Sequence, residues 1–271
     1  MRYPILLIAA LVFICSCNGG GSGTTTQQQD APTEVPFATY NVIKVYPHDT
    51  SSYTEGLVLL NNVLYESTGN RGKSKLRQLQ LETGKAVKDV NLAANYFGEG
   101  IAILNNKIYQ LTYEEHKVFV YDAATFKKTA EFTWPFEGWG MTHNGKDLII
   151  GTGSSNLYFV NPETFKIIST ISVTDNYGPV GNINELEYVN GAIYANVYLT
   201  DDILKIDPVT GKVLLKLDMK GLLEKSGMVF NPAKYDNNTG NVLNGIAYDS
   251  AKNTLLVTGK FWPALFEIQL N

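Results

Sequence analysis

The chain has 271 residues, 44% hydrophobic and 18% charged, which is enough apolar sequence for a sizeable folded core. Its net charge is −4 and it carries no basic stripe interleaved with aromatics, so nucleic acid is not the expected partner. Three histidines without metal-ligand spacing make a multi-histidine metal centre unexpected.

The first element lies outside the fold. Arg2 precedes a mostly apolar run from Ile5 to Ile14, too short to span a membrane, and small residues follow. This is the pattern of a secretory signal. The run closes as Ile14-Cys15-Ser16-Cys17, the form of a bacterial lipobox. A lipoprotein signal peptidase takes an aliphatic residue three before the cysteine and a small one just before it. Cys17 meets both conditions and Cys15 does not. A Cys15–Cys17 disulfide is the alternative use of the only two cysteines. Residues 1–16 therefore read as a signal peptide, and 17–34 as a lipidated Cys17 and a flexible tether. Residues 35–271 read as the folded domain. Asn18 is not the aspartate associated with inner-membrane retention. The expected location is therefore the outer membrane facing the periplasm, with a monomer held by its lipid.

The folded part repeats one phrase five times: TEGLVLLNNVLYESTG from Thr54, GEGIAILNNKIYQLTY from Gly98, GWGMTHNGKDLIIGTG from Gly138, INELEYVNGAIYANVY from Ile183 and LNGIAYDSAKNTLLVTGK from Leu243. Each opens on a Gly or acidic turn and an apolar strand. A polar hairpin follows, at Asn61-Asn62, Asn105-Asn106, Asn144-Gly145, Asn190-Gly191 and Asp249 to Asn253. A second strand, an alternating third and a fourth complete the unit. Helix is confined to a short piece around Met219 to Ser226. Four antiparallel strands per repeat, five times over, predict an all-β five-bladed propeller. The last repeat lacks its outer strand, and the alternating segment Tyr40 to Tyr46 is expected to supply it and close the ring.

In a propeller the first strand of each blade lines the central channel, so one residue per repeat converges on its mouth. These are Glu55, Glu99, Trp139, Asn184 and Asn244. Gly69, Tyr113, Gly153 and Tyr198 form a second set fourteen residues further on, with Lys260 at that stretch of the fifth repeat. The two glycines either leave room for a ligand or allow tight turns. Converging polar and aromatic groups suit a concave ligand site. Elsewhere, Ser154-Ser155 lacks a nucleophile elbow and Asp201-Asp202 reads as a solvated loop rather than a calcium loop.

Seven short motifs in order carry a resemblance. They are Tyr53-Thr54-Glu55-Gly56-Leu57, Phe97-Gly98-Glu99-Gly100, Gln110-Leu111-Thr112-Tyr113, Glu137-Gly138-Trp139-Gly140, Asn184-Glu185-Leu186-Glu187-Tyr188, Asn244-Gly245-Ile246-Ala247-Tyr248 and Thr258-Gly259-Lys260-Phe261-Trp262-Pro263. Across about Tyr40 to Leu270 the chain resembles the plant-type (papaya-type) glutaminyl-peptide cyclotransferases. The resemblance implies a five-bladed propeller that converts N-terminal glutamine to pyroglutamate and releases ammonia. It implies Glu99 as catalytic acid/base and Tyr53, Glu55, Tyr113, Trp139, Asn184, Tyr198 and Lys260 as substrate-binding residues. No cofactor or metal is implied for catalysis, and peptides or proteins with N-terminal glutamine are the implied partners. The sequence departs from the plant pattern at Tyr53, where Phe is usual, at Tyr113 and Tyr198, where Trp is common, and at Glu55, where plants carry Gln. Two other readings stand beside it. One is a non-catalytic ligand- or protein-binding propeller. The other is a calcium-dependent propeller lactonase, with Glu55, Glu99, Asn184 and Asn244 as oxygen ligands.

Overall fold

The computed structural model describes residues 34–271. The lipidation expected at Cys17, the signal segment and the tether up to residue 33 lie outside the described residues. Alternating strands of β-branched and aromatic residues fold into four-stranded antiparallel units, because each unit has two apolar faces to cover. After β1 (Phe37–Ala38) and β2 (Tyr40–Pro47), the first blade comprises β3 (Thr54–Leu60), β4 (Val63–Thr68), β5 (Lys75–Gln80) and β6 (Lys85–Asn91). The second comprises β7 (Gly98–Leu104), β8 (Lys107–Thr112), β9 (Lys117–Asp122) and β10 (Lys128–Thr133). The third comprises β11 (Met141–His143), β12 (Leu148–Gly151), β13 (Asn156–Val160) and β14 (Ile167–Ser172). A small hairpin, β15 (Thr174–Asp175) and β16 (Gly178–Pro179), leads to the fourth: β17 (Ile183–Val189), β18 (Ala192–Val197), β19 (Asp202–Ile206) and β20 (Val213–Asp218). The fifth has β21 (Leu243–Asp249), β22 (Thr254–Gly259) and β23 (Ala264–Leu270), with β2 as its outer strand.

The ring is therefore closed as the sequence predicts, with β2 running antiparallel to β23 from Tyr40 opposite Leu270 to Pro47 opposite Ala264. The core gives the same answer independently. It divides into five apolar clusters, one for each neighbouring pair of blades. An open stack of five sheets has only four such interfaces. The fifth packs Leu57, Leu64 and Leu79 of the first blade against Ala247, Leu256 and Leu265 of the last.

Three details differ from the sequence expectation. β1 adds a fifth, parallel strand to the outer edge of blade four, pairing with β20 and covering part of that edge. The expected short helix is a 3-10 turn at Leu223–Ser226. The third difference concerns the ring positions. They do not sit in turns at the ends of the inner strands. Glu55, Glu99, Asn184 and Asn244 lie within β3, β7, β17 and β21, where the pairing register slips. The extra residue of a bulge kinks the strand and redirects the side chain. Trp139 precedes β11, so the third inner strand is the short one.

Candidate active site

The residue after each ring position explains why Gly recurs there. A Cβ on Gly100 would lie 2.5 Å from the Met141 nitrogen, and one on Gly140 would lie 1.9 Å from the Asn184 carbonyl oxygen. At these two positions the neighbouring inner strand comes too close for any side chain. Blade four is the exception: Glu185 follows Asn184, is fully buried, and accepts from the backbone N–H of Leu57 at 3.1 Å and of Ile246 at 2.8 Å. It ties three blades together. Burial and the neighbouring Glu187 push its carboxyl well above the usual range.

At one mouth of the channel is a cavity of about 220 Å³. All eight expected site residues line it: Tyr53, Glu55, Glu99, Tyr113, Trp139, Asn184, Tyr198 and Lys260. Asn244 does not. Its Nδ2 stands behind the wall, donating to the Thr54 carbonyl at 2.8 Å and to Glu55 Oε2 at 3.3 Å. Arg71 and Phe97 line the cavity and were not singled out from the sequence. Phe97 stands in a motif already marked, two residues before Glu99. Arg71, in the loop after β4, carries no sequence signal.

The aromatic wall is continuous. Ring centroids lie 6.1 Å apart for Tyr53–Phe97, 5.9 Å for Phe97–Tyr113, 6.3 Å for Tyr113–Trp139 and 5.8 Å for Trp139–Tyr198. Lys260 Nζ closes the circle, 4.3 Å from the Tyr53 centroid and 5.1 Å from that of Tyr198. The glycines of the second set make room for these rings, not for a ligand directly. A Cβ on Gly69 would fall 2.4 Å from a Phe97 ring carbon, and one on Gly153 would fall 2.4 Å from Trp139.

At the base, Lys260 Nζ donates to both Glu55 oxygens at 2.6 Å, and all three groups of the Glu55–Glu99–Lys260 cluster are buried. Burial raises the Glu99 carboxyl well above its usual range, the Glu55 carboxylate raises it further, and Lys260 opposes both. Burial raises Glu55 too, but the Lys260 ammonium holds it down directly. Burial and the Glu55 charge therefore favour the protonated form at Glu99, while the Lys260 ammonium favours the ionised form at Glu55. Burial, then the Glu55 charge, raises the Tyr53 phenol, so it stays a donor. Beside the pair, Asn184 Oδ1 is buried with no donor partner among the described residues. A buried amide oxygen left so is costly unless a ligand N–H meets it.

A carboxyl pair with an ammonium partner, next to an unpartnered amide oxygen and inside an aromatic cage, is an arrangement able to give and take a proton. A family model described as glutamine cyclotransferase matches residues 14–270. The chain belongs to the glutamine cyclotransferase family. It is 35% identical to an Arabidopsis thaliana protein named glutaminyl-peptide cyclotransferase, across 100% of this chain and 83% of that one. Among solved structures it is similar to Myxococcus xanthus glutaminyl cyclase, with 36% identity and a TM-score of 0.79, covering 88% of this chain and 99% of the other. Among the described residues no group of three or more His, Cys, Asp or Glu side chains is arranged to hold a metal ion. The indole of Trp139 occupies a ring position where a calcium site would need an oxygen ligand.

Proposed function

We propose that this chain is a glutaminyl-peptide cyclotransferase, forming pyroglutamate from N-terminal glutamine and releasing ammonia, with Glu99 as its acid/base. The observation that carries the residue assignment is the buried Glu99 beside the Glu55–Lys260 ion pair in the cavity, its carboxyl held well above the usual range by burial and the Glu55 charge. Family membership supports the reaction.

Cyclisation brings the neutral α-amine of glutamine onto its own γ-carbonyl carbon. A C–N bond forms, the old amide C–N bond breaks, and the departing nitrogen needs a proton. Glu99 gives that proton as ammonia leaves. The new ring nitrogen then loses its own proton to the Glu99 carboxylate, which resets the group. Charge is carried within the Glu99–Glu55–Lys260 cluster, so no ion is left unpaired in the apolar cage. The Asn184 Oδ1 acceptor suits the N–H groups of the carboxamide or amine rather than an oxyanion. Tyr113, Trp139 and Tyr198 form the slot that holds the side chain curled for attack, replacing entropy that the free peptide would lose in the transition state.

No cofactor enters this scheme. We place the protein on the periplasmic side of the envelope, as a monomer anchored through Cys17, on the strength of the Ile14-Cys15-Ser16-Cys17 motif and the polar tether after it. Ammonia release from an N-terminal glutamine peptide, with and without chelator, tests the reaction. Chelator-resistant release is expected. Binding without release supports the non-catalytic reading, and loss of activity with chelator supports the calcium-dependent one.

A further inference from the structure

Arg71 is the cavity's one lining residue with no part in the chemistry above and no sequence signal. It sits in a built position. The Asn70 carbonyl accepts from Lys73 N at 2.9 Å, closing a turn with Gly72 at φ 78° and Arg71 at its corner. Ser74 Oγ donates to the same carbonyl at 2.9 Å and accepts from Gly98 N at 2.9 Å. The turn is thereby fixed to the residue just before Glu99.

The guanidinium is clamped from the next blade. Its Nε donates to Glu115 Oε1 at 3.0 Å, and its Nη2 donates to Glu114 Oε2 at 2.8 Å and to Glu115 Oε1 at 2.7 Å. Glu115 also accepts from Phe97 N at 3.4 Å. The other amino group, Nη1, has no hydrogen-bond partner among the described residues. The side chain is about half exposed, at 47%, so it belongs to the rim while Lys260 belongs to the base.

A glutamine whose amine and carboxamide meet at Glu99 must direct its main-chain carbonyl and the rest of the peptide toward the mouth. We infer that Arg71 is a substrate-positioning residue that donates through Nη1 to that carbonyl. Two carboxylates already balance the guanidinium, so the trio is net negative. It attracts no carboxylate strongly and offers a directed donor to a neutral carbonyl. The residue thus favours glutamine in amide linkage, as at the head of a peptide, over the free amino acid.

The inference rests on the cyclotransferase reading, and the test separates the two. Glutamine amide carries the main-chain carbonyl; 4-aminobutanamide lacks it, yet closes to 2-pyrrolidinone with loss of ammonia by the same bond changes. For Arg71→Met, KM for glutamine amide should rise about tenfold, the scale of one charge-assisted hydrogen bond. Its kcat should stay within about twofold. KM for 4-aminobutanamide should not change; where its turnover is slow, its Ki against glutamine amide is read instead. Arg71→Lys, which keeps the charge and loses the fork, serves if the first variant does not fold, and should show the same selective rise. Equal effects on both compounds, or no effect on either, overturn the role of Arg71. Absence of ammonia release by the unaltered protein overturns the reading beneath it.

Discussion

At the scale of single residues, the informative departure is Glu55. A carboxylate here, where the plant pattern carries an amide, makes the base of the cavity a carboxyl–carboxylate–ammonium cluster. Its effect on Glu99 has a definite sign. The Glu55 charge helps hold the Glu99 proton on, and Lys260 works against it. In Glu55→Gln the charge that raises Glu99 is gone and an unpaired Lys260 remains, so Glu99 gives up its proton at lower pH. The alkaline limb of the kcat–pH profile, where the acid form is lost, should move toward acid. A limb that stays in place or moves the other way would show that the two carboxyls do not share the proton. The eight expected residues that line the cavity were legible because each stands at a fixed offset in a repeat or in a motif. Arg71 was not, because its place depends on a loop turn and on two glutamates of another blade, which no local pattern encodes.

At the scale of elements, the bulge is the device that makes a site from a repeat. The repeated phrase gave the inner strands and their hairpins. It did not show that the ring residues lie inside those strands, since a register slip shows only once the partner strand is placed. The second-set glycines were readable as special but ambiguous in purpose. The structure assigns them to the aromatic wall. Gly153 sits at φ 71° with Trp139 packed where its Cβ would be. Gly153→Ala should lose about 1–2 kcal/mol from the backbone alone, lowering Tm by about 2–8 °C. Trp139 must also move, so KM for a glutamine peptide should rise more than kcat falls. An unchanged Tm and KM would mean that the loop relaxes and that Trp139 does not depend on it.

At the scale of the whole molecule, closure is the property on which the site depends. The cavity draws residues from all five blades, so a ring that opens loses it. Closure was legible because the last repeat ends one strand short and an unassigned alternating segment precedes the first. The parallel β1 on blade four was not, since two residues carry no periodicity. Removing residues 34–47 should expose β23 and the interface of blades five and one, where Tyr46 packs with Leu57 and Leu265. The shortened chain should lose cooperative thermal unfolding and self-associate by light scattering. A monomer with an unchanged transition would mean that the last blade holds without its outer strand.

The central claim is that Glu99 moves the proton. The most direct measurement is ammonia release from an N-terminal glutamine peptide by Glu99→Gln, with its fold checked by circular dichroism. A native spectrum and turnover reduced by at least about 100-fold, the scale of acid/base catalysis, are expected. Near-normal turnover by the folded variant would contradict the claim.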